Sequence, residues 1–328
     1  MPAEWSAHQA TLMAWPTRTR AALWGELFEA AKRDHAEVAR TVASFESVVM
    51  LADPDQAREA RDACGTGNIE VLPLPIDDSW VRDNGPIFVT DVRGGVALVH
   101  FGFNSWGERF LPYDRDARVP EAIAAHLGMR RYVAPLVLEG GSFFVDGEGT
   151  LLTTEQCLLH PNRNPSLSRA DIEGLLSDYL GVDRIVWLPF GWASSRDTDG
   201  HVDGIAQYVS PGRVILLAPA DPADPDHERG EANGRAIAAT PDARGREIEV
   251  VAFDPGAPAH IPYLNLYLVN GGVVAPVVGG PTDEVALAQV RIAFPGREVV
   301  PVPGEVLHEG GGGPHCITQQ VPAGSPIP

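Results

Sequence analysis

Apolar residues recur at helical spacing in several segments of the chain, with charged residues on the opposite face of each segment. This period of about 3.6 residues predicts amphipathic helices. Ser168 has the side chain of an N-cap, and Pro281 is suited to a first helical turn. The predicted helices are 21–43, 168–180 and 281–294, with weaker patterns at 54–63 and 118–127.

Short runs of apolar and β-branched residues separate these helices and predict strands. The predicted strands are 46–51, 69–74, 86–92, 95–101, 142–146, 150–154, 184–189, 205–209, 213–218, 247–252, 264–269, 272–278 and 298–302. Several consecutive strands form hairpins, because the few residues between them include Gly, Asp, Pro or Asn. No low-complexity linker interrupts the pattern, so we expect residues 1–328 to form a single domain.

The hairpins return at a regular interval along the chain. The residues just ahead of their first strands are 83, 139, 201, 264 and 316, which are 52 to 63 residues apart. Each hairpin is followed, more or less regularly, by a helix and a further strand. A repeat of this length suggests five ββαβ units around a pseudo-symmetry axis, although any α/β chain with regularly spaced hairpins would show a similar interval.

Four of these five positions hold residues that can carry acid-base or nucleophilic chemistry. They are Asp83, Glu139, His201 and Cys316. Asp203 follows His201 by two residues, and residues two apart in a strand point to the same face. If the five strand starts converge at one end of the axis, a thiol, an imidazole and three carboxylates meet there.

This set predicts covalent catalysis with Cys316 as the nucleophile. A thiol is a weak nucleophile at neutral pH, and a neighbouring imidazole or bound cation makes its thiolate more available. His201 can supply that imidazole. Glu139, hydrogen-bonded to His201, would orient the imidazole and favour its protonated form.

Asp83 and Asp203 remain without a role in that triad. Two further carboxylates beside a thiolate would repel each other unless a cation lay between them. A planar guanidinium presents paired N–H donors to carboxylates in fork geometry, so it is the best match. We therefore expect a small cationic guanidine compound as the substrate.

Each of these signals also has a simpler interpretation. A cysteine beside a histidine, as in His315–Cys316, is more often an inert buried thiol. A Gly-His-Val-Asp segment can supply metal ligands, but no third ligand at a familiar spacing accompanies it, so we expect no metal. The glycines at 310–313 are not a phosphate loop, because no Gly-Lys-Ser/Thr follows them.

The composition of the chain limits the classes of binding partner that we expect. The formal net charge of −19 argues against nucleic acid and against anionic membrane surfaces, and it favours a cationic ligand. The three cysteines, Cys64, Cys157 and Cys316, lie far apart and form no CxxC pair. The first residues show no signal peptide, and no apolar run approaches the length of a membrane span. We expect a reduced, cytoplasmic protein.

Several segments resemble motifs of the agmatine deiminase family, within the guanidine-modifying enzymes that include bacterial peptidylarginine deiminases. They are DDSWVRDNGPIFV (77–89), FNSWG (103–107), LEGGSFFVD (138–146), DTDGHVDGIAQYV (197–209), YLNLYLVNGGVVAPVVG (263–279) and HCITQQVP (315–322). They occur in the family's order and, with the opening PAEWSAHQATLMAWP, span nearly the whole chain.

The resemblance implies a five-bladed pseudo-symmetric α/β propeller (the pentein fold) of ββαβ units. It implies that Cys316 is the nucleophile, His201 the general acid and base, and Glu139 its orienting partner. By the same resemblance Asp83 and Asp203 bind the guanidinium, and Trp80 lines the pocket. Neither a metal nor an organic cofactor is implied.

Two departures from the family pattern affect the expected substrate rather than the chemistry. The loop before the cysteine reads HEGGGGPHC instead of the usual GGGN-I-HC, and the stretch after FNSWG is short. Agmatine is the first expectation, with peptidyl-arginine or another guanidine as the alternative. An amidinotransferase and a non-catalytic binding protein also stay open, as does homo-oligomerisation.

Overall fold

The strands fall into five separate sheets in a computed structural model, which describes residues 1–195, 197–257 and 259–328. In chain order the strands are β1 His8–Ala14, β2 Ser47–Ala52, β3 Ile69–Pro73, β4 Ile87–Thr90, β5 Gly95–Gly102, β6 Arg131–Val137, β7 Phe143–Val145, β8 Thr150–Thr154, β9 Arg184–Leu188, β10 Ala206–Ser210, β11 Arg213–Leu217, β12 Glu249–Phe253, β13 Tyr267–Val269, β14 Gly272–Val277, β15 Glu298–Pro303, β16 Thr318–Pro322 and β17 Ser325–Pro326. The sheet orders are β16-β1-β2-β3, β17-β5-β4 with β6 also on β5, β7-β8-β9, β10-β11-β12 and β13-β14-β15.

Each of the five sheets contains the same arrangement of three paired strands. An antiparallel hairpin comes first, and its second strand pairs in parallel with a third strand, as in β7-β8-β9. A parallel neighbour requires a crossover connection, which helices supply in every sheet. The mixed α/β class predicted from the sequence is confirmed.

Helices connect the second strand of each hairpin to the third. The helices are α1 Ala21–Trp24, α2 Phe28–Ala43, α3 Ala57–Cys64, α4 Val81–Asn84, α5 Ser105–Glu108, α6 Val119–Leu127, α7 Glu155–Leu158, α8 Arg169–Leu180, α9 His227–Ala238, α10 Pro281–Ala293 and α11 Glu305–Glu309. Single 3-10 turns cover Arg18–Arg20, Gly25–Leu27, Asp116–Arg118, Gly140–Ser142 and Val202–Gly204. Among the described helices, none combines the length and apolar content needed to cross a bilayer.

The two chain ends contribute to the same sheet. β16 pairs antiparallel with β1, with Leu12 opposite Gln319, and β1 pairs in parallel with β2. The hairpin of this sheet is therefore assembled from strands more than three hundred residues apart in sequence. The pairing brings the N-terminal residues next to the segment that carries Cys316.

The N-terminus of α8 is capped by the residue that the sequence predicts. Ser168 Oγ accepts a hydrogen bond from the Asp171 backbone N–H, and the Asp171 carboxylate accepts one from the Ser168 backbone N–H at 2.9 Å. This reciprocal capping box satisfies donors that have no partner inside the helix. The predicted N-cap is confirmed.

The structure differs from the sequence predictions in a few elements. The helix predicted over 21–43 is interrupted, because Gly25 has a φ of 55° in the left-handed region and ends α1. Helix α9 was not predicted. It contains Gly230 and Gly234, which lower helix propensity, yet Gly230 lets the helix pack against the backbone of Leu217.

One buried histidine makes the stability of this fold depend on pH. His35 in α2 has no exposed surface, packs against Trp24, and donates from Nδ1 to the Ala31 carbonyl oxygen at 2.7 Å. Burial lowers the pKa of His35 from 6.5 to about 4. Between those pH values the unfolded chain binds more protons at His35 than the native protein does. The contribution of His35 to the free energy of unfolding is therefore fully present above pH 6.5 and is lost as the pH falls toward 4.

We expect the free energy of unfolding to lose up to about 3 kcal/mol through this group as pH falls across that window. Urea unfolding of the wild type and of His35→Leu at pH 4, 5.5 and 7.5 measures it. The variant, which cannot titrate at this position, should show a smaller decline. An identical decline in both proteins would exclude His35 as its source.

Candidate active site

The five sequence-predicted chemical residues lie in the turns that lead into first strands of hairpins. Asp83 lies in α4 ahead of β4, Glu139 precedes the turn ahead of β7, His201 and Asp203 lead into β10, and Cys316 leads into β16. His201 and Asp203 were predicted to share a strand face. They lie instead at a 3-10 turn, Val202–Gly204, and both still face one cleft.

Gly141 marks the point at which three of these side chains converge. A methyl group on its Cα would lie 2.7 Å from His201 Nδ1, 2.8 Å from Asp203 Oδ2 and 2.9 Å from Asp83 Oδ1. The side chains therefore surround one point from three directions. Only a residue without a Cβ leaves this space open, which gives the Glu-Gly-Gly motif a physical reason.

Cys316 is buried, and its sulfur contacts polar side chains. Sγ lies 3.1 Å from Asn265 Nδ2 and 3.5 Å from Asp203 Oδ2. Burial and the carboxylates of Asp203 and Asp83 raise the pKa of the Cys316 thiol well above its ordinary value. Without a bound cationic ligand beside it, Cys316 is held as the neutral thiol.

His201 is surrounded by acidic groups. Its Nδ1 lies 3.8 Å from Asp83 Oδ2, and its Nε2 lies 3.8 Å from Glu139 Oε2. Burial alone would lower the pKa of His201, but Asp83, the Cys157 sulfur and Glu139 outweigh it and hold the pKa well above its ordinary value. The imidazole is therefore ready to donate a proton.

Glu139 is fully buried and takes its strongest contact from an arginine that the sequence analysis missed. Arg163 Nε donates to Glu139 Oε1 at 2.6 Å, and Arg163 Nη1 donates to Asp199 at 2.6 Å. Burial would raise the pKa of Glu139, but His201 and Arg163 lower it below its ordinary value. The carboxylate is ionised and lies at ion-pair distance from His201.

One cluster in this region has metal-ligating atom types. Side-chain atoms of Glu139, Cys157 and His201 lie within 4.8 Å of one another. The permanently charged guanidinium of Arg163, 2.6 Å from Glu139, opposes the entry of a metal cation. We therefore assign no metal ligands to this cluster.

Asp83 is held rigidly. It accepts hydrogen bonds from the Trp106 indole N–H and from the Gly141 backbone N–H, each at 2.9 Å. Burial raises the pKa of Asp83, and the carboxylates of Asp203 and Glu139 add to this while His201 opposes it. A cation bound beside Asp83 would relieve that repulsion.

Asp203 has a cationic partner that lies beside Cys316 in sequence. His315 Nδ1 lies 2.9 Å from Asp203 Oδ2. Burial would raise the pKa of Asp203, but the hydrogen bond and charge of His315 lower it below its ordinary value. Of the two carboxylates Asp83 and Asp203, Asp203 is therefore the one that stays ionised more readily.

The cleft that contains Cys316, His201 and Asp203 is lined by two further acidic residues, Asp197 and Glu309. Its other lining residues include Trp192, Thr198, Pro262 and Asn265. Trp80 is buried, stacks on Trp24, and lines a neighbouring cavity that shares Asp197 and Glu309 with the cleft. Gly312 separates the two, since a methyl group there would lie 2.7 Å from the Trp80 ring and 2.9 Å from Cys316 Sγ.

Several residues at this site receive no role from the sequence patterns. They are Glu4, Cys157, Arg163, Asn265 and His315. Asn265 lies one position past 264, the fourth repeat position, so the repeat alone could have drawn attention to it. The other four show no spacing signal. His315 adjoins Cys316 in sequence, and the fold brings Glu4, Cys157 and Arg163 to the site from other parts of the chain.

Comparison with known proteins agrees with the motifs. The sequence profile of the Porphyromonas-type peptidyl-arginine deiminase family matches residues 1–322, so this chain belongs to that family. Agmatine deiminase from Pseudomonas aeruginosa strain UCBPP-PA14 is 42% identical over 353 residues, covering 98% of this chain and 95% of that protein. The resemblance inferred from the sequence is confirmed.

Solved structures show the same relationship. The structure of an agmatine deiminase from Enterococcus faecalis aligns with a TM-score of 0.92 and 32% identity, covering 98% of this chain and 95% of that one. A further sequence relative, agmatine deiminase from Pseudomonas fluorescens Pf-5, is 41% identical over an alignment that covers 98% of this chain and 95% of that protein. These relatives have the size and fold of the whole chain, so the chain is a hydrolase-family member acting on guanidino C–N bonds.

Proposed function

We propose that this chain hydrolyses agmatine to N-carbamoylputrescine and ammonia through a covalent intermediate on Cys316. The observation that carries the proposal is the cleft in which Cys316, His201 and Asp203 meet, with Asp83 beside them around Gly141. The names of the relatives support the same substrate.

The guanidinium binds between Asp83 and Asp203. Both carboxylates are buried, so charge-assisted hydrogen bonds from the guanidinium N–H groups replace the repulsion between them. The bound cation also lowers the pKa of Cys316, whose thiolate the same two carboxylates otherwise disfavour. Substrate binding thus activates the nucleophile.

The chemistry proceeds in two halves. The Cys316 thiol gives its proton to solvent, and the thiolate Sγ forms a bond to the guanidinium carbon. Protonated His201 gives its proton to a terminal nitrogen of the substrate, and the bond from that nitrogen to the carbon breaks to release ammonia. Neutral His201 then accepts a proton from water, whose oxygen bonds to the same carbon. The thiolate of Cys316 leaves, the remaining proton on the new oxygen passes to solvent, and the neutral ureido product forms. Proton transfer of this kind contributes about 10²–10⁴-fold in rate.

Acidic residues at the outer part of the cleft favour agmatine over free arginine. Asp197 and Glu309 line the cleft beyond the reacting groups. Their carboxylates attract the distal ammonium of agmatine and repel the α-carboxylate of arginine. A peptidyl arginine has no free carboxylate, so it remains the second candidate, and the family name supports it.

We also infer that residues 1–328 form one domain in which the five sheets surround a central axis as a propeller. The shared hairpin design of the sheets and the pairing of β1 with β16 support this arrangement. Trp80 would border the substrate across Gly312. Three buried free cysteines support a reducing, cytoplasmic location.

A substrate panel tests the proposed function. Purified protein in EDTA is offered agmatine, arginine or an arginine peptide, with and without an amine acceptor, and ammonia and ureido product are measured. We expect agmatine to give the highest kcat/KM, with no requirement for metal or acceptor. Turnover of the peptide alone would replace agmatine as the substrate, amidino transfer to the amine would indicate an amidinotransferase, and no turnover at all would refute hydrolysis.

A further inference from the structure

Three buried ionisable side chains form a line from the N-terminal segment to the nucleophile. His315 Nε2 lies 2.9 Å from Glu4 Oε2, and His315 Nδ1 lies 2.9 Å from Asp203 Oδ2. The same Asp203 oxygen lies 3.5 Å from Cys316 Sγ. All four residues have less than a tenth of their surface exposed.

The contacts on both sides of the ring define its protonation. A carboxylate can only accept hydrogen bonds, so both nitrogens of His315 must donate. Only the imidazolium has two N–H donors. Burial and Arg82 lower the pKa of His315, but Glu4 and Asp203 outweigh them and raise it above its ordinary value.

Glu4 is fixed in place by groups from several elements. Its Oε1 accepts from the Leu268 backbone N–H at 3.0 Å and from Gln207 Nε2 at 3.1 Å. Arg82 Nη2 lies 3.7 Å from Oε2. Burial would raise the pKa of Glu4, but His315 and Arg82 lower it to about 2. The carboxylate therefore stays charged throughout the range in which enzymes work.

We propose that Glu4 and His315 are positioning residues of the proposed reaction, because together they hold Asp203 as an oriented carboxylate beside Cys316. The negative charge of Glu4 favours the imidazolium form of His315, which contacts Asp203. The hydrogen bond from His315 engages Oδ2 and restrains the orientation of the carboxylate. This role rests on the proposed function, since it matters only if Asp203 binds a cationic substrate.

The charges around Asp203 show what removal of His315 would do. Arg82 and His201 favour the ionised form of Asp203 along with His315, while burial favours the neutral acid and Asp83 carries like charge. Losing the His315 cation therefore makes Asp203 easier to protonate. The two carboxylates titrate as a coupled pair, so the acid limb of kcat/KM reports both.

The test compares His315→Asn and Glu4→Gln with Gln207→Leu in the full-length protein. Asparagine can still donate to Asp203 but carries no charge, and glutamine at position 4 keeps a hydrogen-bond acceptor without charge. Gln207→Leu removes a neutral contact with Glu4 and serves as the matched control. The readouts are kcat and KM for agmatine and the pH profile of kcat/KM.

We expect His315→Asn to raise KM about tenfold or more, with a smaller fall in kcat, because a charged hydrogen bond that orients the binding carboxylate is lost. The acid limb should move to higher pH by about one unit. Glu4→Gln should also raise KM and move the acid limb to higher pH, each by a smaller amount. Gln207→Leu should leave the midpoint of the acid limb where it is.

Three results would overturn the proposal. They are unchanged kinetics in both charge variants, an equal loss at every pH with KM unchanged, and an equal shift in Gln207→Leu. If His315→Asn fails to fold by thermal melting, Glu4→Gln carries the test. A wild type that releases no ammonia from any guanidine would refute the proposed function instead, so the two failures are distinguishable.

Discussion

Replacing Cys316 with alanine should lower ammonia release from agmatine by roughly 10³-fold or more, because among the described residues that line the cleft Cys316 is the one thiol. The side chain is small and its pocket is polar, so the fold should be retained. Steady-state ammonia release measures the loss, and circular dichroism and thermal melting check the fold.

Cys64→Ala is the matched control. Cys64 is also buried and free, but it ends α3, which packs on β2 and β3, and it does not line the cleft. Its replacement removes a thiol without touching the cleft, so kcat/KM should stay near the wild-type value. Near wild-type activity of Cys316→Ala in a correctly folded protein would exclude Cys316 as the nucleophile.

Gly141→Ala should lower kcat/KM by about 10²-fold or more. The added methyl group would lie within 2.9 Å of His201, Asp203 and Asp83, so these side chains must move apart. Displacement of reacting groups by about an ångström has an effect of this size. Gly141 has no positive φ, so alanine fits its backbone and the expected effect comes from the displaced side chains.

Gly174→Ala provides the control for this prediction. Gly174 lies within α8, and a methyl group there meets no atom within 4 Å. Alanine should raise stability by up to about 1 kcal/mol through helix propensity and leave kcat/KM unchanged. If Gly141→Ala retains wild-type kcat/KM, the three side chains do not need the geometry described for them.

Local patterns in the sequence predict most of the helices and strands. The capping residues of α8 and the first-turn proline of α10 are local signals, and both elements begin where these residues indicate. Helix α9 and strand β1 were missed, because α9 contains two glycines and β1 completes a hairpin with β16 at the other end of the chain. Long-range pairing of this kind leaves no periodic signal.

The candidate site was predictable only as far as the repeat extends. Asp83, Glu139, His201 and Cys316 stand at equivalent positions of successive hairpins, which is visible in their spacing. The residues behind them are not at repeat positions. Glu4 reaches His315 only because β1 pairs with β16, so that contact follows from the tertiary fold.

The most direct test of the account is the covalent intermediate itself. Protein mixed with agmatine is quenched in acid during turnover, digested, and analysed by mass spectrometry. We predict an adduct with the mass of agmatine less one ammonia on the peptide that carries Cys316, with Cys64 and Cys157 unmodified. Turnover without this adduct, or an adduct on Cys157 instead, would contradict the assignment of Cys316 as the nucleophile.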